Sequence, residues 1–130
     1  MAIRLDHLIV PSRDRKAAAA LLASILDVPW SADTTAGPFS PVYVNSELTL
    51  DLGQVFGEFS PQHYCFQVSE AEFDAILGRL RDKGIPYRST PMGPVDMQIR
   101  QQPDGRIVYW SEPDGHAWEI LTSSYARAPR

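Results

Sequence analysis

The stretch "SEPDGHAWEIL" (Ser111–Leu121) decides how the chain is read. Its PDG triplet is a turn signal, and AWEIL is expected to be the strand that leaves the turn. Successive strand residues face opposite sides, so Ala117, Glu119 and Leu121 share one face while Trp118 and Ile120 share the other. Both faces are otherwise apolar. A carboxylate there either sits at a strand edge or faces something that needs its charge. Immediately upstream, "RIVYW" (Arg106–Trp110) supplies a partner strand, so the end of the chain is predicted to be a hairpin across the SEPDG turn.

Outward from that hairpin, "SEAEFDAILGRLRDKG" (Ser69–Gly84) carries Ser69 and Glu72 at capping-box spacing. Phe73, Ile76, Leu77 and Leu80 form a helical apolar stripe, and Gly84 sits where a C-terminal cap belongs. A helix over Glu70–Lys83 is predicted. "HYCFQV" (His63–Val68) precedes it as a strand, and a further strand is expected around Met97–Gln101. The first half follows the same plan. "IRLDHLIVP" (Ile3–Pro11) reads as a strand ended by proline. "SRDRKAAAALLASILDV" (Ser12–Val28) reads as a helix near Asp14–Leu26, capped by Ser12 or Asp14, with Leu21, Leu22, Ile25 and Leu26 as its stripe. A Pro/Gly/Ser/Thr-rich loop follows, and "VYVNSELTLDLG" (Val42–Gly53) reads as two short strands around Asn45–Ser46. Each half is therefore strand, helix, strands: a repeat of pattern with almost no repeat of residues. The fold class is α+β.

Bulk properties exclude several functions. A chain of 130 residues is one domain's worth and can bury a sizeable core. Apolar content of 44% and charged content of 22% are ordinary for a globular protein. A net charge of −4 gives no electrostatic case for nucleic acid or an anionic membrane. The single cysteine, Cys65, excludes an internal disulfide framework and a cysteine-built zinc site. "MAIRLDHLIV" lacks the apolar run of a signal peptide and no stretch reaches membrane-spanning length, so a soluble, cytoplasmic domain is expected.

Three polar residues stand out on predicted strands: His7, His63 and Glu119. Two imidazoles and a carboxylate suit Fe(II), Mn(II), Ni(II) or Zn(II) with positions left open for substrate. Their spacing matches no short metal motif, and the alternatives are satisfied or surface histidines and an edge-strand carboxylate. Cys65 has no evident base partner and is expected simply to pack. His116 falls on the face opposite Glu119 and is expected at the surface. Of Tyr109 and Trp110, one is expected to line a cleft and the other to pack in the core. Arg100 reads as a solvated strand-edge cation.

"DHLIVP", "HYCFQVSEAEFDAILGRL" and "RIVYWSEPDGHAWEIL" together resemble the vicinal oxygen chelate superfamily, which includes glyoxalase I, fosfomycin-resistance transferases, bleomycin-resistance proteins and extradiol dioxygenases. The likeness runs from Ile3 to about Thr122. Its most specific piece is the terminal hairpin, in which Glu112 replaces the first aspartate of a DPDG-like turn. The resemblance implies two βαβββ modules, 1–56 and 57–125 within a single domain 1–130, whose sheets curl into a cleft. It implies a divalent ion (Fe, Mn, Ni or Zn) held by His7, His63 and Glu119, with Asp51 as the fourth-ligand candidate and Glu47 as second choice. Glu119 would also be the catalytic carboxylate. The function implied is metal-dependent catalysis on a small molecule with vicinal oxygens, of the glyoxalase, lyase or dioxygenase type. A metal-free drug-sequestering protein of the bleomycin-resistance type and a fosfomycin-type thiol transferase are the alternatives. A homodimer is expected, because an isolated pair of modules in this family commonly completes its cleft with a partner; Trp30, Phe39, Phe56 and Phe59 on predicted loops are candidate interface aromatics.

Overall fold

The computed structural model describes residues 2–35 and 37–127. Met1, Ala36 and Ala128–Arg130, which fall within the expected 1–130 domain, lie outside them. The chain forms two compact units, Met1–Ser60 and Pro61–Arg130, and is α+β in both.

In the first unit, strand β1 (His7–Ser12) leads into helix α1 (Arg15–Leu26), then β2 (Phe39–Tyr43) and β3 (Thr49–Gln54). The sheet order is β1-β3-β2, with β1 parallel and β2 antiparallel to the central β3. Trp30 adds a one-residue antiparallel bridge to Val42. β1 begins at His7 rather than Ile3 because its neighbour begins opposite it, with His7 paired to Thr49. Asp14 caps α1 by accepting from the Ala17 N–H. The helix closes on Asp27 in the left-handed region (φ 57°), with the Val28 N–H returning to the Ala23 carbonyl at 3.0 Å. Its buried residues are Ala19, Leu22, Ala23 and Ile25, so two alanines take part in the stripe while Leu21 and Leu26 are only half-buried. Arg15 ties the following loop down, donating to the Ala32 carbonyl at 2.6 Å, to buried Ser40 Oγ at 2.7 Å and to Asp33 at 2.8 Å.

The second unit runs β4 (His63–Gln67), α2 (Glu70–Asp82), β5 (Tyr87–Arg88), β6 (Arg100–Gln102), β7 (Gly105–Ser111) and β8 (Ala117–Leu121). The order is β4-β8-β7-β5, with β6 on β7. β4 and β8 are parallel, so the crossover brings the first and last strands of the unit side by side. The α2 capping box is complete in both directions. Gly84 (φ 66°) ends the helix, with the Gly84 N–H on Arg81 and the Ile85 N–H on Leu80, the paired bonds of a Schellman close. Phe73, Ile76, Leu77 and Leu80 are buried, as their spacing predicts. Arg106 fixes the helix to the sheet, its guanidinium lying over the Phe73 ring and pairing with Glu70 and Asp74. β6 is shorter than the expected strand because Met97 adopts φ 54°, which interrupts extended backbone.

The two faces of β8 carry different chemistry. Trp118 stacks on Tyr64 and Phe66 and pairs across the hairpin with buried Trp110. His116 belongs to this aromatic side and is fully buried, edge-on to Tyr64 and Trp118, accepting from the Gln62 N–H at 2.9 Å. The expectation that it lies at the surface is therefore wrong: the face opposite Glu119 is core. Ile107, Tyr109 and Leu121 pack on the other face, beside Glu119.

Candidate functional site

Glu119 is fully buried in the middle of β8. Strand register sets its flanks: Cys65 lies opposite it on β4 and Tyr109 opposite it on β7. His63 shares this face, one pleat along β4. A buried carboxylate is costly unless it is paired and hydrogen-bonded, and this one is well supplied. His63 Nε2 lies 3.0 Å from Oε1, and the Tyr125 hydroxyl lies 2.8 Å from both oxygens. The Cys65 thiol is within hydrogen-bonding reach of it as well.

The imidazole geometry restricts what the pair can hold. His63 Nδ1 lies 2.9 Å from the Ala117 carbonyl, which can only accept, so Nδ1 carries a proton. Nε2 then faces a carboxylate oxygen. Either a proton lies between them, on the imidazole or on the carboxyl, or the nitrogen and oxygen lone pairs face each other and can share a cation. A metal-binding histidine is typically oriented in this way, its far N–H held by a carbonyl. The donor set, imidazole nitrogen and carboxylate oxygen with phenols alongside, suits a borderline or hard divalent ion.

Neighbouring groups respond to the buried charge. The Cys65 thiol is pushed up to about 12, first by burial and then by Glu119. Cys65 is nonetheless an exposed residue, not the packed one expected. Burial and then Glu119 also raise the Tyr125 and Tyr109 phenols, so both keep their protons, and Tyr125 donates to Glu119. Tyr109 is thus the member of the Tyr109/Trp110 pair on the site face. An open pocket of about 380 Å³ lies on this face, its walls including His63, Cys65, Leu121, Tyr125 and Arg127.

In the first unit, His7 is exposed on β1 and its Nδ1 lies 2.8 Å from Asp6. Its pKa is raised by that hydrogen bond, with Asp51 contributing through its charge. Asp51 is half-buried on β3 opposite Ile9, on the same face as His7. Glu47 lies outside β3, exposed, and pairs with Arg4 at 3.3 Å. Among the described residues, no three His, Cys, Asp or Glu side chains form a ready-made metal cluster. The structure therefore brings His63 and Glu119 together within the second unit, and His7 and Asp51 onto one face of the first. Tyr125 was missed. It follows the last strand in a polar tail, and no periodicity marks it.

No protein-family model matches the chain. Solved structures do. Oxidase ChaP-H2 is 40% identical over 97% of this chain and 98% of that one, with a TM-score of 0.89. Oxidase ChaP-H1 is 42% identical over 97% and 100%, with a TM-score of 0.87. Lactoylglutathione lyase from Agrobacterium tumefaciens shares the fold at 16% identity, covering 95% of both chains with a TM-score of 0.69. The chain belongs to the vicinal oxygen chelate superfamily. Members of the vicinal oxygen chelate superfamily typically bind a divalent metal and act on small molecules. Among the described residues, no helix is long and apolar enough to cross a membrane.

Proposed function

We propose that this chain is a divalent-metal-dependent oxidase acting on a small molecule with two adjacent oxygens. His63 and Glu119 are its ligands in the second unit, and His7 and Asp51 are the candidate ligands of the first. The observation that carries this reading is the orientation of His63, whose Nδ1–H is held by the Ala117 carbonyl while Nε2 faces the Glu119 carboxylate. Likeness to two oxidases at 40% and 42% identity favours oxidation over the lyase and transferase alternatives. When bound, the ion supplies Lewis acidity at the substrate oxygens. The chain's own residues do the rest. Ala117 and the β4–β8 register hold His63 against Glu119, Glu119 supplies the negative charge that retains a cation, and Tyr109 lies opposite Glu119 on β7 and hydrogen-bonds Tyr125. The 380 Å³ pocket beside His63 has room for a small substrate but not a macromolecule.

The functional unit in this proposal is a cytoplasmic homodimer with modules 1–56 and 57–125. Phe56 and the apolar side chains of Leu5 and Ile9 on or beside edge strand β1 are exposed, which favours a partner there; Phe39 and Phe59 are half-buried and do not add to it. Metal analysis of purified protein, with oxygen uptake measured on a panel of catechols and hydroxyquinones, tests the activity. The reading predicts about one ion per chain and turnover lost in Glu119→Gln and His63→Ala; a metal-free protein that no divalent ion activates refutes it. A metal-free sequestering protein is the second reading, favoured by a Glu119 carboxylate already satisfied by His63 and Tyr125. Ligand binding undiminished by chelator would establish it.

A further inference from the structure

We propose that Tyr125 gates the ion site: its hydroxyl engages the Glu119 carboxylate and must leave before that carboxylate can take a cation. This rests on the metal-enzyme reading above. Three observations carry it. First, the phenol oxygen lies 2.8 Å from both Oε1 and Oε2, so one hydroxyl engages both oxygens of the carboxylate. A cation taking a carboxylate oxygen at roughly 2.0–2.2 Å competes with a hydroxyl already bonded to both of them. Second, Tyr125 is 60% exposed although its hydroxyl reaches a fully buried group. Only the tip is engaged, so swinging the ring outward disturbs no core.

Third, the segment is hinged. Its root is pinned where Thr122 Oγ1 accepts from the Arg106 N–H at 2.8 Å and the Thr122 N–H donates to the Arg106 carbonyl at 3.1 Å. The approach is so close that a Cβ on Gly105 would stand 2.4 Å from Thr122 Oγ1. Beyond Thr122, among the described residues, the segment is held through the Tyr125 hydroxyl, which meets Glu119 and Tyr109, and by a local bond from the Ala126 N–H to Ser124 Oγ. Tyr125 also lines the pocket, so the displaced hydroxyl stays at its mouth, where it can donate to a bound substrate oxygen.

A hydrogen bond to a charged acceptor opposes the ion by about tenfold to a hundredfold in affinity. The test titrates wild-type protein, Tyr125→Phe, Tyr125→Ala and Glu119→Gln with Co(II) alone. Occupancy is read from the visible d–d band, the phenol's surroundings from near-UV difference absorption, and folding from far-UV circular dichroism. Both Tyr125 variants should bind Co(II) about tenfold to a hundredfold more tightly than wild type. The near-UV change in wild type should saturate with the d–d band and shrink in Tyr125→Phe, and Glu119→Gln should lose binding. If wild type binds Co(II) through Glu119 but the Tyr125 variants bind equally or more weakly, the gate is refuted and the metal site stands. If neither wild type nor the folded Tyr125 variants bind, both fail together.

Discussion

Cys65 offers a direct measure of the charge at the centre of the site. Its thiol is pushed from 9.0 to about 12, first by burial, then by the Glu119 charge and by a hydrogen bond with Glu119. At any pH below both values the rise lowers the thiolate population about a thousandfold, and the thiolate is the species that alkylates. As the chain's single cysteine, Cys65 gives an unambiguous signal. Iodoacetamide incorporation into chelator-treated protein at pH 8, followed by intact mass, should therefore run two to three orders of magnitude slower (about 100- to 1000-fold) than in the urea-unfolded chain. Glu119→Gln removes the second and third causes and leaves burial, the first. The rate should rise about tenfold in that variant without reaching the unfolded rate. A folded wild-type protein that alkylates at the unfolded rate, or a folded Glu119→Gln protein with an unchanged rate, would show that Cys65 does not sit against an ionised Glu119.

The hinge at Gly105 makes Gly105→Ala costly, because the new Cβ meets Thr122 Oγ1 at 2.4 Å and Ser123 at 3.1 Å; a loss of about 1–3 kcal/mol is expected in urea melts. Phe73→Ala, at a fully buried helix position under Arg106, should cost about 3–5 kcal/mol by the same measurement. Glu72 is held below its ordinary 4.5 by the Ser69 backbone N–H and then the Ser69 hydroxyl. Because the folded value is the lower one, its contribution is full above pH 4.5 and fades as pH falls through the folded value. Glu72→Gln should therefore trail wild type by about 0.5 kcal/mol at neutral pH, and the gap should close in acid; a gap that widens in acid would contradict the sign.

How much was legible followed how local the determinants were. Helix α2 was readable because a capping box, one apolar stripe and a terminal glycine agree over sixteen contiguous residues, Ser69–Gly84. The hairpin of β7 and β8 was readable from one turn and period-two alternation. The β4–β8 pairing was not, since it joins His63 to Ala117 with the whole crossover between them; only the family resemblance put His63 near Glu119. In α1 the alanines at 19 and 23 proved buried where Leu21 and Leu26 were favoured, because a small side chain lets a helix sit close to its sheet and hydrophobicity alone does not record that. His116 was misplaced by treating the face opposite a carboxylate as solvent. Tyr125 left no signal, because one hydroxyl reaching back to a strand has no period.

The contrast between the two faces of β8 explains how a fully buried carboxylate is tolerated at all. Trp110, Trp118, Ile120, Tyr64 and Phe66 lie on one side, with Phe73 of α2 under Arg106 nearby, and that side supplies the apolar burial that holds the strand in place. On the other side, a charge buried among Ile107, Tyr109 and Leu121 would cost several kcal/mol if unpaired, and by packing alone an apolar residue would serve better there. Glu119 is instead matched by an imidazole on a strand and a phenol on the segment that follows the last strand. Of these, His63 is fixed by strand register and a backbone carbonyl, whereas Tyr125 is held through its hydroxyl, by Glu119 and Tyr109. A site built with one immobile donor and one displaceable donor around a buried charge is suited to exchanging the second for a cation.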